Sequence, residues 1–294
     1  SDAVTMVRED LFISMDEIKV DYIFQNTSET DVESLVAFPM PAIVPSVYEP
    51  TGVPVEDTNF LGFRVFVEGE EVFPDLEQRA IATGIDVTGE LRDAGLPMVP
   101  VTQAASEALE KLPKDLLADW IARGVVMAEY WDVGQGMEMH PYPNWVLEQT
   151  YHWRMVFPAG KQVQVSHTYA PSVGGSAGVV FLDWEGKNSE LFADYETRYC
   201  IDAPFVNAVK RQARTDGGIA MYESWISYIL TTGRNWFGPI GTFHLTVDKG
   251  ATDNLVSFCG TDIEKTGPTR FELTYKDYYP DRELDILILQ PTEW

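Results

Sequence analysis

The sequence predicts a mainly β protein: two antiparallel β-sandwich-like domains, residues 1–190 and 191–294, with a short helical insertion at about 76–124 in the first. Three observations carry this expectation. Apolar residues alternate with polar ones over many short runs, the signature of strands with one buried face. Turn chemistry rich in Gly, Pro, Asn and Asp separates those runs, which favours antiparallel connections over a parallel α/β sheet. At 294 residues the chain also exceeds the usual size of one compact domain.

The elements follow in order. Ile18, Val20, Tyr22 and Phe24 alternate with Lys19, Asp21 and Ile23, and Asn26-Thr27-Ser28-Glu29 turns the chain into a return strand from Ser34 to Phe38. Pro39-Met40-Pro41 stops it, because proline cannot donate to a ladder. The Pro-rich run to Pro54 reads as a long loop, after which Phe63, Val65 and Val67 lead through Glu68-Gly69 into Glu70 to Phe73 as a hairpin. From about Leu76 the period changes. Leu109, Leu112, Leu116, Leu117, Trp120 and Ile121 recur at helical spacing, Pro113 divides the stretch into two short helices, and Gly124 ends it.

Tyr130 to Trp145 reads as an aromatic loop. Thr150 to Phe157, the turn Pro158-Ala159-Gly160-Lys161, and Val163, Val165, His167 and Tyr169 make the cleanest hairpin. Val179 to Trp184 reads as a further strand, followed by a connector to Asp194 where the domain boundary is placed. Asp202-Ala203-Pro204 caps a short helix. Strands are expected at 225–230, 243–247, 255–259, 270–275 and 284–289.

Composition limits the partners. A hydrophobic fraction of 45% and an aromatic fraction of 12% supply a real core. The net charge of −25 repels phosphate backbones and anionic lipid, so nucleic acid is excluded as a partner. Cationic partners, metal cations and plain solubility all remain compatible with that charge. No stretch approaches the roughly 18 to 20 apolar residues of a membrane helix. The start at Ser1-Asp2-Ala3-Val4, lacking Met and any leader pattern, suits a processed or trimmed product.

Each chemical motif has a bland counterpart. Gly174-Gly175-Ser176-Ala177-Gly178 matches the G-x-S-x-G pattern of a nucleophile elbow, with His244 downstream in triad order. An elbow must run from strand into helix, yet Pro171-Ser172 precede it and Val179-Val180-Phe181-Leu182 follow, so a glycine turn is expected and a serine hydrolase using Ser176 is the alternative. His140, His152, His167 and His244 show no metal-binding interval. His167, on an apolar strand face, suits a core or interface role, and Asp248 to Asp253 is a poor calcium loop because Lys249 interrupts it. Nucleotide patterns are absent. No cofactor is expected, and no catalytic or metal residue is assigned. Two aromatic stretches, with His140, Tyr142 and Trp145 in one and Arg234, Asn235 and Trp236 in the other, are the candidate binding surface, since rigid aromatics give contact area at low entropic cost. Alternatively, the tryptophans plug the ends of the sandwiches. Cys200 and Cys259 are either buried thiols or, in an oxidising compartment, a bridge closing a loop of about 60 residues and worth roughly 3 to 4 kcal/mol.

Arg8-Glu9-Asp10-Leu11-Phe12-Ile13-Ser14, Val20-Asp21-Tyr22-Ile23-Phe24-Gln25-Asn26-Thr27-Ser28 and Val36-Ala37-Phe38-Pro39-Met40-Pro41 together resemble the bacterial family known as domain of unknown function 4424. So do Phe157-Pro158-Ala159-Gly160-Lys161, Tyr169-Ala170-Pro171-Ser172-Val173-Gly174-Gly175, Tyr228-Ile229-Leu230-Thr231-Thr232-Gly233-Arg234-Asn235-Trp236, and the segments 257–259 and 265–272. The resemblance implies an exported protein, periplasmic or extracellular, and favours the Cys200–Cys259 bridge. It brings no activity. The expected function is a non-enzymatic binding or assembly module for an unknown protein or small-molecule partner; the alternatives are the hydrolase and a purely structural subunit of an envelope complex.

Overall fold

The computed structural model describes residues 2–45, 51–52, 59, 61–132, 134, 136–214 and 218–292. In chain order the elements are β1 (Val4–Ile13), β2 (Ile18–Asn26), β3 (Val32–Ile43), β4 (Thr51–Gly52), β5 (Arg64–Val67), β6 (Glu70–Val72), β7 (Asp75–Ala82), β8 (Ile85–Asp86), α1 (Thr88–Asp93), α2 (Gln103–Glu110), α3 (Lys114–Arg123), β9 (Val126–Asp132), β10 (Met137–Pro143), β11 (Val146–Phe157), β12 (Gln162–Tyr169) and β13 (Val173–Ser176). There follow α4 (Phe192–Tyr199), α5 (Ala203–Lys210), β14 (Met221–Tyr228), a 3-10 turn (Thr231–Asn235), β15 (Ile240–Asp248), β16 (Leu255–Phe258), β17 (Glu264–Lys265), β18 (Arg270–Tyr278) and β19 (Leu284–Pro291). The protein is mainly β with antiparallel ladders, as the alternating pattern implied.

Two compact units are discontinuous in sequence: one holds residues 1–36, 57–74 and 153–294, the other 37–56 and 75–152. The first contains an eight-stranded sheet in the order β17-β18-β15-β1-β2-β12-β5-β6 and a second sheet that runs β16-β19-β14-β13. The Tyr22 hydroxyl of β2 meets the Tyr228 hydroxyl of β14 at 3.0 Å, so the two sheets face each other as a sandwich. One pair departs from the antiparallel expectation: β1 and β15 run parallel, Arg8 beside Thr242 through Ile13 beside Val247. A bulge interrupts the β1–β2 register between Met6 and Arg8. It changes the parity of β1, so that Val4 and Met6 point inward before it and Glu9, Leu11 and Ile13 after it. Gly241 fits here for a steric reason, since a Cβ would lie 2.7 Å from the Val7 carbonyl oxygen. Against the second sheet, α4 and α5 pack Tyr195, Tyr199, Val206 and Val209 with Phe181, Leu287 and Leu289.

In the other unit, one sheet runs β3-β11-β7-β8 and a two-stranded ribbon is formed by β9 and β10. Helices α1, α2 and α3 bury Leu91, Leu109 and Trp120 with Ala80, Val126 and Trp145. Thr102 caps α2 by accepting from the Ala105 amide at 3.1 Å, Pro113 precedes α3, and Gly124 closes α3 at φ 73.

Several local expectations are corrected. The turn Pro158–Lys161 does not close a hairpin, because β11 pairs in the β3-β11-β7-β8 sheet while β12 lies between β2 and β5, and the strand after the Asn26–Glu29 turn does not return beside β2. Strand β3 runs through Pro39-Met40-Pro41, where a stop was expected; as an edge strand it has one side on which a missing N–H costs no ladder bond. Residues 75–86 form strands β7 and β8 before the helices start, so the period change lies about ten residues later than read. Tyr130 to Trp145 is largely a hairpin, not a loop. Residues 179–184 make only a bridge between Leu182 and Asn188. Residues 192–199 form α4, and Cys200 ends it in the left-handed conformation at φ 53.

Candidate functional site

Among the described residues, the β9–β10 ribbon gathers the exposed aromatic and thioether side chains of its unit. Its register places Trp131 opposite Glu138, His140 opposite Glu129, and Tyr142 opposite Met127. Cross-strand partners share a face, so these six residues lie on one side of the ribbon, while Tyr130, Met137 and Met139 lie on the other. The Trp131 indole stacks on the His140 imidazole, with centroids 3.7 Å apart and planes parallel, and Tyr142 lies 6.0 Å from Trp131. Tyr130 is 62% exposed, Met137 65% and Trp131 39%. Asp132 fixes the hairpin end by accepting from the Gly134 and Gly136 amides at 2.8 and 3.1 Å, and both glycines hold positive φ.

Other residues expected at the surface are placed differently. Trp145 is fully buried, and its indole N–H donates to the Met98 carbonyl at 2.8 Å, so it plugs the helical core. This corrects its assignment to a contact surface: in a cavity lined by Leu and Ala, an indole is held by packing and one hydrogen bond. Trp236 is half-buried, its ring 4.4 Å from Phe24 and 5.6 Å from Phe157, which makes it a plug at one end of the sandwich. Arg234 is exposed, yet its Nε donates to the Pro280 carbonyl; Asn235 is exposed on the same turn. The ribbon therefore unites His140 and Tyr142, while Arg234, Asn235 and Trp236 belong to the other unit. Sequence reasoning placed Tyr130 and Met137 in an aromatic loop but gave no role to Trp131 and Glu129. The alternation of Met137 and Met139 with Glu138 and His140 is the signal that could have revealed the strand.

Ser176 does not occupy an elbow. It ends strand β13, opposite Glu223, and residues 177–191 contain no helix. The glycines before it serve a close approach instead of a turn: a Cβ on Gly175 would sit 2.5 Å from the Glu223 carbonyl oxygen. His244 meets Thr274 Oγ1 at 2.9 Å through Nδ1. Cys200 and Cys259 form a disulfide with an S–S distance of 2.06 Å.

Two buried carboxyls have contrasting environments. Glu223 accepts from the Val180 amide at 2.8 Å, the Tyr195 hydroxyl at 2.6 Å and the Trp225 indole at 3.0 Å. Among the described residues Glu9 has only the Tyr228 hydroxyl at 3.4 Å, and burial pushes its carboxyl up to about 8; the Tyr228 bond opposes this shift and the Asp10 charge adds to it. Burial likewise drives His167 down to about 3. Lys249 turns inward and donates to the Thr252 carbonyl at 2.7 Å and to the Asn254 carbonyl, so the chain's own ammonium fills the Asp248–Asp253 turn. On the outer face of the eight-stranded sheet, shallow recesses of about 240 and 270 Å³ share Asp10 and Asp21. Arg8 and Lys19 pair with these carboxylates at 2.8 Å each. Among the described residues no group of three or more His, Cys, Asp or Glu is arranged to hold a metal ion, and no helix is long and apolar enough to cross a membrane.

A family model, domain of unknown function (DUF4424), matches residues 1–287. The chain belongs to that family. No curated protein matches the DUF4424 chain. A solved structure from Legionella pneumophila, described as a "putative nutrient binding protein", is similar over 97% of this chain and 67% of its own, at 15% identity and a TM-score of 0.45.

Proposed function

We propose that this DUF4424 protein is an exported, non-enzymatic binding or assembly module that meets a partner through the β9–β10 ribbon. The observation that carries the reading is the concentration of exposed Tyr130, Trp131, Met137 and Met139 on one short ribbon. Scattered apolar residues on a surface need no explanation, but a ribbon that presents Tyr130, Met137 and Met139 on one face and Trp131 between carboxylates on the other concentrates apolar and acidic groups as an interface does. A disulfide between Cys200 and Cys259 suits an oxidising compartment and supports export.

The test uses the full chain in its producing cells. Tyr130→Ser, Trp131→Ala and Met137→Ser are combined, and native electrophoresis follows the size of the species containing the protein. The expected result is a shift from a larger complex to the free protein with an unchanged thermal transition. Persistence of the complex would remove the ribbon as the contact surface, and migration of the unaltered protein as a free monomer would remove the partner.

A further inference from the structure

We infer that the partner segment is basic, and that the Trp131 face of the ribbon receives a guanidinium group between Glu129 and Glu138. This rests on the reading of the ribbon as the contact surface and adds the chemistry of what it contacts.

The charge pattern is the first support. Residues 124–153 contain no Lys or Arg, but they carry Glu129, Asp132, Glu138 and Glu148. Two of these carboxylates are engaged: Asp132 accepts the turn amides, and Glu148 lies 3.8 Å from Arg79. Glu129 and Glu138 have no cation and no hydrogen-bond donor among the described residues. Both stand on the face that carries Trp131, Glu138 directly across the ladder from it and Glu129 across from His140. Directly opposed residues on an antiparallel pair hold their Cβ atoms about 5 Å apart, which puts Glu138 beside the indole; Glu129 lies two residues from Trp131 along β9, about 7 Å away on the same face, so one long guanidinium side chain laid on that face is within reach of both carboxylates.

The aromatic arrangement is the second support. His140 covers one side of the indole, fixing the ring, and Trp131 remains 39% exposed. A fixed indole face attracts cations, and guanidinium is preferred because it stacks as a plane while its N–H fork reaches carboxylates. The net charge of −25 then steers a basic partner toward the molecule and opposes a second copy of this chain, anionic lipid or nucleic acid on this face.

The test titrates full-length, disulfide-intact protein with acetyl-(Arg-Gly)4-amide, its Lys and Glu counterparts, and tetramethylammonium, observing 5-fluorotryptophan resonances. The Arg peptide should bind tightest and perturb Trp131. Trp131→Ala should weaken it about five-fold, as should Glu129→Gln with Glu138→Gln, magnitudes set by an exposed cation–π contact and ion pairs of about 1 kcal/mol. Neutralising Glu29 and Glu110, exposed acids elsewhere, should change affinity by less than about two-fold. Equal affinity for Arg peptide in the folded Trp131→Ala protein, or equal weakening by the Glu29 and Glu110 changes, would overturn the inference. So would preference for tetramethylammonium over the Arg peptide, which would mark a small-molecule site. A partner found on the ribbon whose binding ignores Glu129 and Glu138 would sink this inference alone and leave the proposed function standing.

Discussion

Replacing Glu9 by Gln should alter the pH dependence of stability by a calculable amount. Glu9 lies between the two sheets of the sandwich, with Tyr22 and Tyr228 as its polar neighbours, and its carboxyl ionises near 8 in place of the usual 4.5. In the folded state the proton is therefore retained where the unfolded chain has released it. A raised acid contributes stability that is fully present below 4.5 and lost as pH climbs through 8. Each unit of separation is worth about 1.4 kcal/mol, so from pH 5 to 7 this group removes on the order of 2 to 3 kcal/mol. His167 acts in the opposite sense: with its imidazole depressed to about 3, stability is present above its ordinary value of 6.5 and lost as pH falls toward 3. The two nearly cancel between pH 5 and 7 in the native sequence. The informative quantity is the difference between Glu9→Gln and the native protein, because His167 drops out of it. Urea unfolding followed by tryptophan fluorescence at pH 5, 6 and 7 should show that difference growing in favour of the variant by on the order of 2 to 3 kcal/mol and levelling off above pH 8. A difference that stays flat across that range would show that Glu9 ionises normally and is not sealed between the sheets.

Four substitutions probe packing, the disulfide and the ribbon. Gly175→Ala forces a Cβ onto the Glu223 carbonyl and should lower stability by about 1 to 3 kcal/mol in urea unfolding, although position 175 lies in a strand where alanine is otherwise acceptable. Cys200→Ser with Cys259→Ser opens a sequence separation of 59 and should cost about 4 kcal/mol in the chain-entropy limit, read as a lower urea midpoint. Trp145→Phe removes the hydrogen bond to Met98 and part of the core contact, and should lower the thermal transition by an amount equivalent to about 1 to 3 kcal/mol while leaving partner binding intact. Trp131→Ala should do the reverse.

Much of the sandwich was legible because period-2 burial leaves a direct mark. Ile18, Val20 and Phe24 face inward on β2 as their alternation requires, and the Glu68-Gly69 turn joins β5 to β6 as a paired hairpin, Val67 beside Glu70. What was not legible depended on effects that the pattern does not carry. Glu9 sits in Arg8-Glu9-Asp10, which reads as a solvated charged run; only the bulge at residue 7 turns the glutamate inward. The ribbon was hidden by Pro141 and Pro143, which argue against a ladder. They are tolerated because β10 pairs on one side only, and residues two apart turn their missing N–H toward the same side. In α4, Phe192, Tyr195 and Tyr199 follow helical spacing, yet aromatic side chains suggest strands. Nothing in the sequence distinguishes Trp145 from Trp131, since both lie in one aromatic stretch and only the helices decide which of them is covered.

Two tyrosines of matched exposure allow the contact surface to be located directly: Tyr130 on the ribbon, 62% exposed, and Tyr279 on the other unit, 61% exposed. Each is replaced in turn by a photoreactive benzoylphenylalanine in the native cells, irradiated, and followed by denaturing electrophoresis. A discrete cross-linked product from position 130 and none from position 279 is the expected result. Equal products from both positions, or a product from 279 alone, would contradict the assignment of partner binding to the ribbon.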